Sequence, residues 1–452
     1  MSVKHKLLHG ALILTGAGLL SRLMGFFFRI FLSHAFGEEN VGLYQLIFPV
    51  YSLCLALGTS GLQTALSRTV ARKTSLGKPG EARTALCAAL ALTVSLSVVE
   101  LLFIQRYSSV ISSRFLGDPR CEELLIIISY ALPCAAIHSC ICGYSYGLQQ
   151  STLPAISQLI EQTVRIFSVV LLFSLFRQTG KTPSISLAAA GIVIGELSSA
   201  LFSVRFFPRR KGKDRHTARF LRITGESGRE LFALSLPLTA NRVCVSLLQS
   251  VEAASIPAML KLCRYSTKES LVLYGVLTGM ALPCILFPSA VTNSLGVMLM
   301  PAVAERQAAG SRSGIAALIR KAAGSCFILG LACCLFFLIF GPFIGTFLFH
   351  SETAGKFIVT LAWICPFLYT NSALMSTING LGKTFWTFVI NILGLGIRIL
   401  SVFSAIPIFG MQGYLWGLLA SQFAMTLLAF TALWIISCSS KTAEKNPQIT
   451  AG

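Results

Sequence analysis

Charged side chains are scarce in this chain of 452 residues: they make up 12% of it, and only 17 residues are Asp or Glu. A soluble protein of this length carries about 25% charged residues, so a water-soluble globular fold is excluded. Hydrophobic residues account for 54% of the chain, and apolar runs long enough to cross a bilayer as helices recur along it. We therefore predict an all-α polytopic membrane protein. The pattern disfavours a β-barrel, because the segments of a barrel are shorter and alternate in polarity.

Other absences narrow the function classes. The 14 cysteines lack zinc-site spacing and lie mostly in apolar runs, where Cys packs as a small hydrophobe. No signal peptide is expected, since the first apolar run is too long for one and no small-residue cleavage site follows it. The net charge of +20 does not indicate nucleic acid, because most Lys and Arg lie in short loops between apolar runs.

The apolar runs predict about twelve transmembrane helices, separated by Gly, Pro and charged residues. We place them near 8–34, 41–71, 82–105, 123–149, 154–177, 184–207, 229–256, 270–303, 316–348, 355–381, 384–406 and 411–438. The most polar internal segment, at 209–230, divides the chain nearly in half. The predicted domains are an N-lobe of six helices at 1–207, a basic linker at 208–228, a C-lobe of six helices at 229–438, and a tail at 439–452.

The distribution of positive charge predicts the orientation. With the N-terminus inside, 23 of the 37 Lys and Arg fall in inner loops and tails, 9 in outer loops and 5 within spans. By the positive-inside rule, both termini are expected in the cytoplasm, with the chain in the bacterial cytoplasmic (inner) membrane.

The two halves resemble each other. Residues Pro133, Gly147, Leu148, Arg165 and Ile166 recur as Pro366, Gly380, Leu381, Arg398 and Ile399, each 233 positions later, and "GIVIG" at 191–195 has a counterpart in "GYLWG" at 413–417. Six helices is an even number, so both repeats enter from the same side and form two pseudo-symmetric lobes. Parallel repeats of this kind are typical of transporters, with the substrate site expected between the lobes and alternating access by rocking.

Arginines inside apolar spans are candidates for a binding site. In "LSRLMGFFFRIF", Arg22 and Arg29 are seven residues apart and lie on one face of a helix. With Arg242 on the seventh helix they predict a receptor for an anion such as pyrophosphate, which Arg binds through two parallel hydrogen bonds. The alternative for Arg29 is that its side chain extends to the outer membrane surface or forms an ion pair with Glu38 or Glu39.

Acidic residues within spans offer a second set of candidates, for ion pairing or for coupling to H⁺ or Na⁺. Glu161 is one turn from Arg165, so the two can neutralise each other, and Arg398 has Glu196 and Glu252 as candidate partners. For the remaining polar residues in spans we expect mainly packing roles: a hydrogen-bonded residue for His138, and bonds between helices for Asn371, Asn379 and Asn391.

Two stretches carry a resemblance to a known family. "SRLMGFFFRI" and "GLYQLIFPVYSLCLALGTSGLQTALSRTVA" at 42–71 resemble the stage V sporulation protein B group. This group of oligosaccharidyl-lipid flippases is related to the MurJ lipid II flippases and more distantly to MATE transporters, in one superfamily called MOP. The resemblance implies a two-lobed MOP fold, no covalent chemistry, and flipping of polyprenyl-pyrophosphate glycans for peptidoglycan, cell-wall or spore-cortex assembly. It assigns the anion site to Arg22 and Arg29, and a gate position to Arg68.

The leading hypothesis is therefore a flippase that moves a lipid-linked oligosaccharide or peptidoglycan precursor from the inner to the outer leaflet. Its expected partners are that substrate, membrane lipids and cell-wall synthesis enzymes; no cofactor is expected, and H⁺, Na⁺ or membrane potential remain open as the driving force. The alternative is a MATE-like cation antiporter, which a cavity rich in arginine disfavours. An enzyme would need catalytic carboxylates, for which the outer loops offer Asp118, Glu122 and Glu123.

Overall fold

The protein, described here from a computed structural model, is built from helices. The structure describes residues 3–207, 217–309 and 311–445, and no strand occurs among them. In chain order the helices are α1 Val3–Leu55, α2 Gly61–Ser75, α3 Pro79–Val110, α4 Cys121–Ser129, α5 Ala131–Gly147, α6 Thr152–Gln178, α7 Ser186–Phe206, α8 Thr217–Leu262, α9 Thr267–Gly275, α10 Leu282–Leu286, α11 Ser289–Ala308, α12 Arg312–Phe349, α13 Glu352–Ala362, α14 Cys365–Gly380, α15 Thr384–Ser404, α16 Ile406–Phe409 and α17 Met411–Lys445. Wider π-helical turns occur at Ala56–Ser60, Ile111–Phe115 and Val276–Ala281.

The helices account for the predicted membrane crossings. Among the described residues, ten are long and apolar enough to cross a bilayer, and eleven when the pair α13 and α14, bent by 55°, counts as one crossing. The first candidate, Ile13–Ser75, has 63 residues and is about three times as long as a hydrocarbon core of ~30 Å requires. It therefore holds two of the predicted spans. The fold class predicted from the sequence, a polytopic all-α protein of about twelve spans, is confirmed.

The connection between the first two spans is a kink rather than a loop. The pattern predicts a break at 35–40, but α1 continues through this stretch and bends at Gly37, whose backbone has φ 80° and ψ 166°. A side chain at this φ is strained, so glycine is the residue that permits the bend. The predicted span 270–303 is also interrupted: α10 ends at Leu286 and α11 begins at Ser289.

Residues at the ends of the predicted domains are partly helical. Of the predicted linker 208–228, residues 208–216 lie outside the described residues, and α8 already begins at Thr217. Of the predicted tail 439–452, α17 covers the part up to Lys445 and the rest lies outside the described residues.

Packing divides the chain into two compact units, Met1–Ala258 and Met259–Gly452. In the first unit, Leu231 of α8 packs with Leu66 and Ala85 in one core cluster, and Ser250 donates a hydrogen bond of 2.9 Å to Pro49 O. Leu231 and Ser250 of α8 thus contact residues of α1, α2 and α3. The division into lobes at 207 and 229 rests on the sequence repeat and stays a prediction.

The same glycine contact recurs inside each unit at the repeat offset. A Cβ built on Gly147 would lie 2.7 Å from Ser67 O, and one built on Gly380 would lie 2.7 Å from Met300 O. Both distances are shorter than real Cβ contacts, so only glycine lets α5 approach α2, and α14 approach α11, this closely. Gly147 and Gly380 are 233 positions apart, and so are Ser67 and Met300, which is the offset of the sequence repeat.

The helix breaks recur at the same offset. Tyr130 separates α4 from α5 and Trp363 follows α13, in each case three residues before a proline, Pro133 or Pro366. The missing N–H and fixed φ of proline suit the first turn of the second helix in each pair. The repeated prolines therefore follow a break in each pair, and α13 and α14 are bent by 55° across theirs.

Candidate functional site

The predicted anion-binding arginines are exposed side chains of the first unit. Arg22 and Arg29 lie on α1, Arg68 on α2 and Arg242 on α8, and all four side chains are exposed. The helical rise separates Arg22 from Arg29 by about 10 Å along α1. Arg29 is near enough to the buried Tyr44 to interact with it electrostatically. Glu39, one of the predicted partners of Arg29, bonds Arg120 at 2.7 Å.

The outer acids are engaged in structural contacts. Asp118 accepts a hydrogen bond of 2.8 Å from Arg120, Glu122 accepts one from Ser108, and Glu123 accepts one from Ser186. The bonds to Asp118, and then those to Glu39, raise the pKa of Arg120 above its ordinary value. The contacts of these acids and of Arg120 join α1, α3, α4 and α7 at one end of the first unit.

The acids within the spans form a different, largely buried cluster. Arg165 donates a hydrogen bond to Glu161 one turn earlier on α6, and each side chain is 18% exposed. Glu196 of α7 is 8% exposed and lies beside this pair. Tyr51 of α1 donates a hydrogen bond of 3.2 Å to Glu196 Oε1. Three helices therefore contribute to one polar centre inside the apolar unit.

His138 of α5 completes the cluster. Its Nδ1 lies 3.9 Å from Glu196 Oε2, and its Nε2 is 2.9 Å from the hydroxyl of Ser157 on α6. The side chains of His138, Glu161 and Glu196 each contribute one nitrogen or oxygen atom to a group of three atoms that lie within 4.8 Å of one another. Because Arg165 is already bound to Glu161, the two carboxylates and one guanidinium leave a single negative charge, which suits one monovalent cation rather than a divalent metal.

Glycines of α7 place these side chains together. A Cβ on Gly195 would lie 2.9 Å from Glu161 O and 3.1 Å from Arg165 Cβ, and Gly191 is in close contact with Val169. In the sequence the motif "GIVIG" serves only as evidence for the internal repeat. In the structure its two glycines form the part of α7 that packs against α6. Close approach of the two backbones brings Glu161 and Arg165 next to Glu196.

A cavity of about 370 Å³ opens onto the cluster. Its walls come from α1, the π-helical turn Ala56–Ser60, α2, α5, α6 and α7. Its lining residues are Leu55, Thr59, Gln63, Ala135, His138, Ser139, Cys142, Tyr146, Pro154, Gln158, Glu161 and Glu196. This volume holds about ten water molecules, so water and protons have room to reach His138 and Glu196.

The other candidates lie on other helices. Glu252 is buried on α8 and Arg398, the repeat partner of Arg165, is half-buried on α15. Asn371 donates hydrogen bonds to Gln422 O and Oε1 and accepts one from Thr426, so it joins α14 to α17 as expected. Asn379 accepts from Thr387, and Asn391 is exposed.

Sequence reasoning missed Tyr51, Ser157 and the acid contact of His138. Tyr51 lies inside the stretch at 42–71 that carries the family resemblance, but nothing in its spacing relates it to Glu196, 145 positions away. His138 was expected to be a hydrogen-bonded packing residue. The bond to Ser157 agrees with that expectation, but its contact with Glu196 on the cavity wall goes beyond it.

Two relatives among known proteins match this chain in sequence. Stage V sporulation protein B of Bacillus subtilis (strain 168) is 27% identical over 450 residues, which is 98% of this chain and 86% of the relative. Lipid II flippase MurJ of the same organism is 22% identical over 327 residues, 68% of this chain and 59% of the relative.

Solved structures show the same fold. An inward-facing multidrug resistance MATE family transporter of the MOP superfamily superposes with a TM-score of 0.73 at 16% identity, covering 93% of this chain and 96% of the other. Lipid II flippase MurJ, in an inward closed conformation, superposes with a TM-score of 0.71 at 13% identity, covering 93% and 87%. The family described as polysaccharide biosynthesis protein matches residues 7–307, two thirds of the sequence. The chain is therefore a multi-pass membrane protein that belongs to the polysaccharide biosynthesis protein family.

Proposed function

We propose that this protein is a flippase that translocates a lipid-linked saccharide, carried on a polyprenyl pyrophosphate, from the inner to the outer leaflet by alternating access. The observation that carries the proposal is the pair of exposed arginines, Arg22 and Arg29, on one face of α1 in a member of this family. The relative named lipid II flippase acts, by its name, on a lipid-linked precursor.

The chemistry of the arginines suits a pyrophosphate. A guanidinium stays protonated inside a membrane and binds phosphate oxygens through two parallel N–H donors. Placing such a charge in a span is costly, about 2.5–3.5 kcal/mol on insertion scales, so an anion that neutralises it offsets that cost. Arg242 and Arg68, also exposed in the first unit, are proposed to help attract and guide the headgroup.

Membrane potential assists this direction of movement. An anion leaving a negative interior gains about 2.3 kcal/mol per charge per 100 mV. The proposal places both termini in the cytoplasm and the protein in the cytoplasmic membrane, as the distribution of Lys and Arg predicts. It also includes partner enzymes of peptidoglycan or cell-wall synthesis, which would supply and consume the lipid-linked precursor.

A MATE-like antiporter for organic cations is the competing proposal. The likeness to MATE structures concerns the fold, which several functions share. Exposed arginines on α1 repel a cation, and repulsion of the wrong ligand is itself a source of specificity. The arginine pair therefore favours the anionic substrate.

Binding by native mass spectrometry tests the two proposals against each other. The full chain in detergent is mixed with a fluorescent polyprenyl-pyrophosphate disaccharide or with a lipophilic cation. We expect the wild type to bind the glycan lipid and Arg22→Ala/Arg29→Ala to lose at least tenfold in affinity, with Arg177→Ala, an exposed arginine at the end of α6, as the matched control.

A substitution that keeps the charge separates electrostatics from geometry. Arg22→Lys/Arg29→Lys is expected to recover only part of the affinity, because Lys lacks the planar pair of donors. Cation binding that survives or strengthens in the alanine variant would instead establish the antiporter. Proteoliposomes with the same fluorescent lipid then measure translocation of the wild type.

A further inference from the structure

Glu196 has one oxygen without a hydrogen-bond partner in a nearly buried position. Its Oε1 accepts from Tyr51, whereas its Oε2 is buried and makes no hydrogen bond within the described part of the chain. An unpaired buried acceptor costs about 1–3 kcal/mol, and more when it is charged. The side chain of Glu196 lines the 370 Å³ cavity. A proton that enters the cavity can therefore reach this carboxylate.

The hydrogen bonds around His138 favour one placement of the proton on its ring. The hydroxyl of Ser157 donates its one hydrogen to Pro154 O at 3.0 Å. While it does so, it accepts from His138 Nε2, 2.9 Å away, which is one of the two tautomers that this contact allows. Nε2 then carries the proton of the neutral imidazole, and Nδ1 presents a lone pair to Glu196 Oε2 at 3.9 Å.

Two acceptors that face each other need one proton between them. We propose that His138 and Glu196 form a single-proton binding site, in which an added proton on Nδ1 is shared with Glu196 Oε2. The observed separation of 3.9 Å exceeds a hydrogen bond by about 1 Å. Proton binding therefore draws α5 toward α7 and narrows the cavity, and proton release opens it.

The surroundings account for the choice of a proton. The helices packed against α7 bring Tyr51 from α1, Cys134 and Cys142 from α5, Glu161 and Arg165 from α6, and Glu122 and Glu123 from α4. Glu122 and Glu123 are held by serines at the far end of the helices, and the two thiols are neutral hydrophobes in this setting. The Glu161–Arg165 pair cancels its own charge, so one proton neutralises the remaining carboxylate, whereas a metal ion would meet the guanidinium and too few free oxygens.

Binding of one proton supplies a driving ion for transport, and this part of the inference rests on the proposed function. The closing of α5 against α7 in the protonated state gives the cavity two forms that a pH gradient biases. The site itself does not depend on the substrate, so it is testable without one.

Nitrogen NMR of the imidazole tests the site directly. Full-length protein with ¹⁵N-labelled histidine is placed in nanodiscs, and His138→Gln assigns the signals. We expect Nε2 to carry a proton throughout, and Nδ1 to move by a full protonation shift between about pH 5 and 8. In Glu196→Gln, whose amide donates to the neutral Nδ1, that shift is expected to disappear over the same range, and in the control Glu123→Gln it is expected to persist.

Three results would overturn the proposal. One is a wild-type Nδ1 that already carries the single proton of a neutral ring; another is no change with pH. The third is a shift produced by Na⁺ or Mg²⁺ at constant pH, which assigns the site to a metal cation. If Glu196→Gln does not fold, the wild-type titration with pH and with metal decides alone.

Transport distinguishes this inference from the proposed function. In proteoliposomes with the fluorescent polyprenyl-pyrophosphate disaccharide, an imposed pH gradient is expected to change wild-type translocation at least threefold and to have no effect on Glu196→Gln. Translocation that ignores the gradient in wild type overturns the coupling but leaves the flippase standing. No translocation under any condition, together with a titrating Nδ1, overturns the flippase and leaves the proton site.

Discussion

Tyr51 donates a hydrogen bond of 3.2 Å to Glu196 Oε1, joining α1 to α7 across 145 positions of sequence. Both side chains are buried, at 8% exposure each. A tyrosine of the stretch that carries the family resemblance thus orients the acid of the polar cluster and leaves its second oxygen directed at His138.

Removing this donor is expected to destabilise the first unit modestly. In Tyr51→Phe, Glu196 Oε1 loses its bond, and hydrogen bonds inside membrane proteins contribute about 0.6–1.7 kcal/mol each. We expect the free energy of unfolding in detergent to fall by about 1 kcal/mol. Tyr107→Phe, an exposed tyrosine of α3, is the control and should change it by less than about 0.5 kcal/mol. An equal loss in both variants would mean that the bond to Glu196 contributes nothing.

Removing one partner of the Glu161–Arg165 ion pair is expected to lower the free energy of unfolding substantially. Glu161→Gln leaves the guanidinium of Arg165 without its counterion, and removing one partner of a buried ion pair costs about 3–5 kcal/mol. The double variant Glu161→Gln/Arg165→Met removes both charges and should recover most of that loss. Unfolding free energies of the two single variants and the double variant form a cycle that measures the coupling. Additive losses would contradict a direct interaction.

Gly195→Ala is expected to separate α6 from α7. The new Cβ would lie 2.9 Å from Glu161 O, a backbone atom that moves only with its helix, and overpacking of this kind costs about 1–3 kcal/mol. Gly18→Ala on α1 is the matched control, because no atom lies within 4 Å of its Cβ. Thermal unfolding in nanodiscs measures both. An unchanged transition temperature in Gly195→Ala would show that the close approach of the two helices is not required.

Alanine in place of either of the two repeated glycines, Gly147 or Gly380, is expected to destabilise the protein to a similar extent. Gly147→Ala and Gly380→Ala each place a Cβ 2.7 Å from a backbone oxygen of the neighbouring helix. Each is expected to lower the free energy of unfolding by about 1–3 kcal/mol. Gly396→Ala, with open space around its Cβ, should not. Destabilisation by only one of the pair would mean that the repeat does not preserve the energetic role of this contact.

Local features of the sequence were enough for several results. Apolar runs of bilayer length predict the spans because a crossing segment must satisfy its backbone internally as a helix. The spacing of Glu161 and Arg165 predicts their contact because residues four apart meet on a helix. The shared offset of Gly147 and Gly380 predicts a repeat, and in the structure both glycines closely approach a neighbouring helix.

The sequence by itself thus determined that this chain crosses a membrane many times as helices, that two arginines share a face of α1, and that an acid and an arginine pair on α6. Tertiary structure decided that Glu196 faces His138 and Tyr51, and that the first two spans meet at a kink at Gly37. The reason is physical. Hydropathy and helical periodicity act within one element, whereas contacts among α1, α5, α6 and α7 depend on how closely each helix approaches its neighbours, and glycines such as Gly195 set that distance through packing.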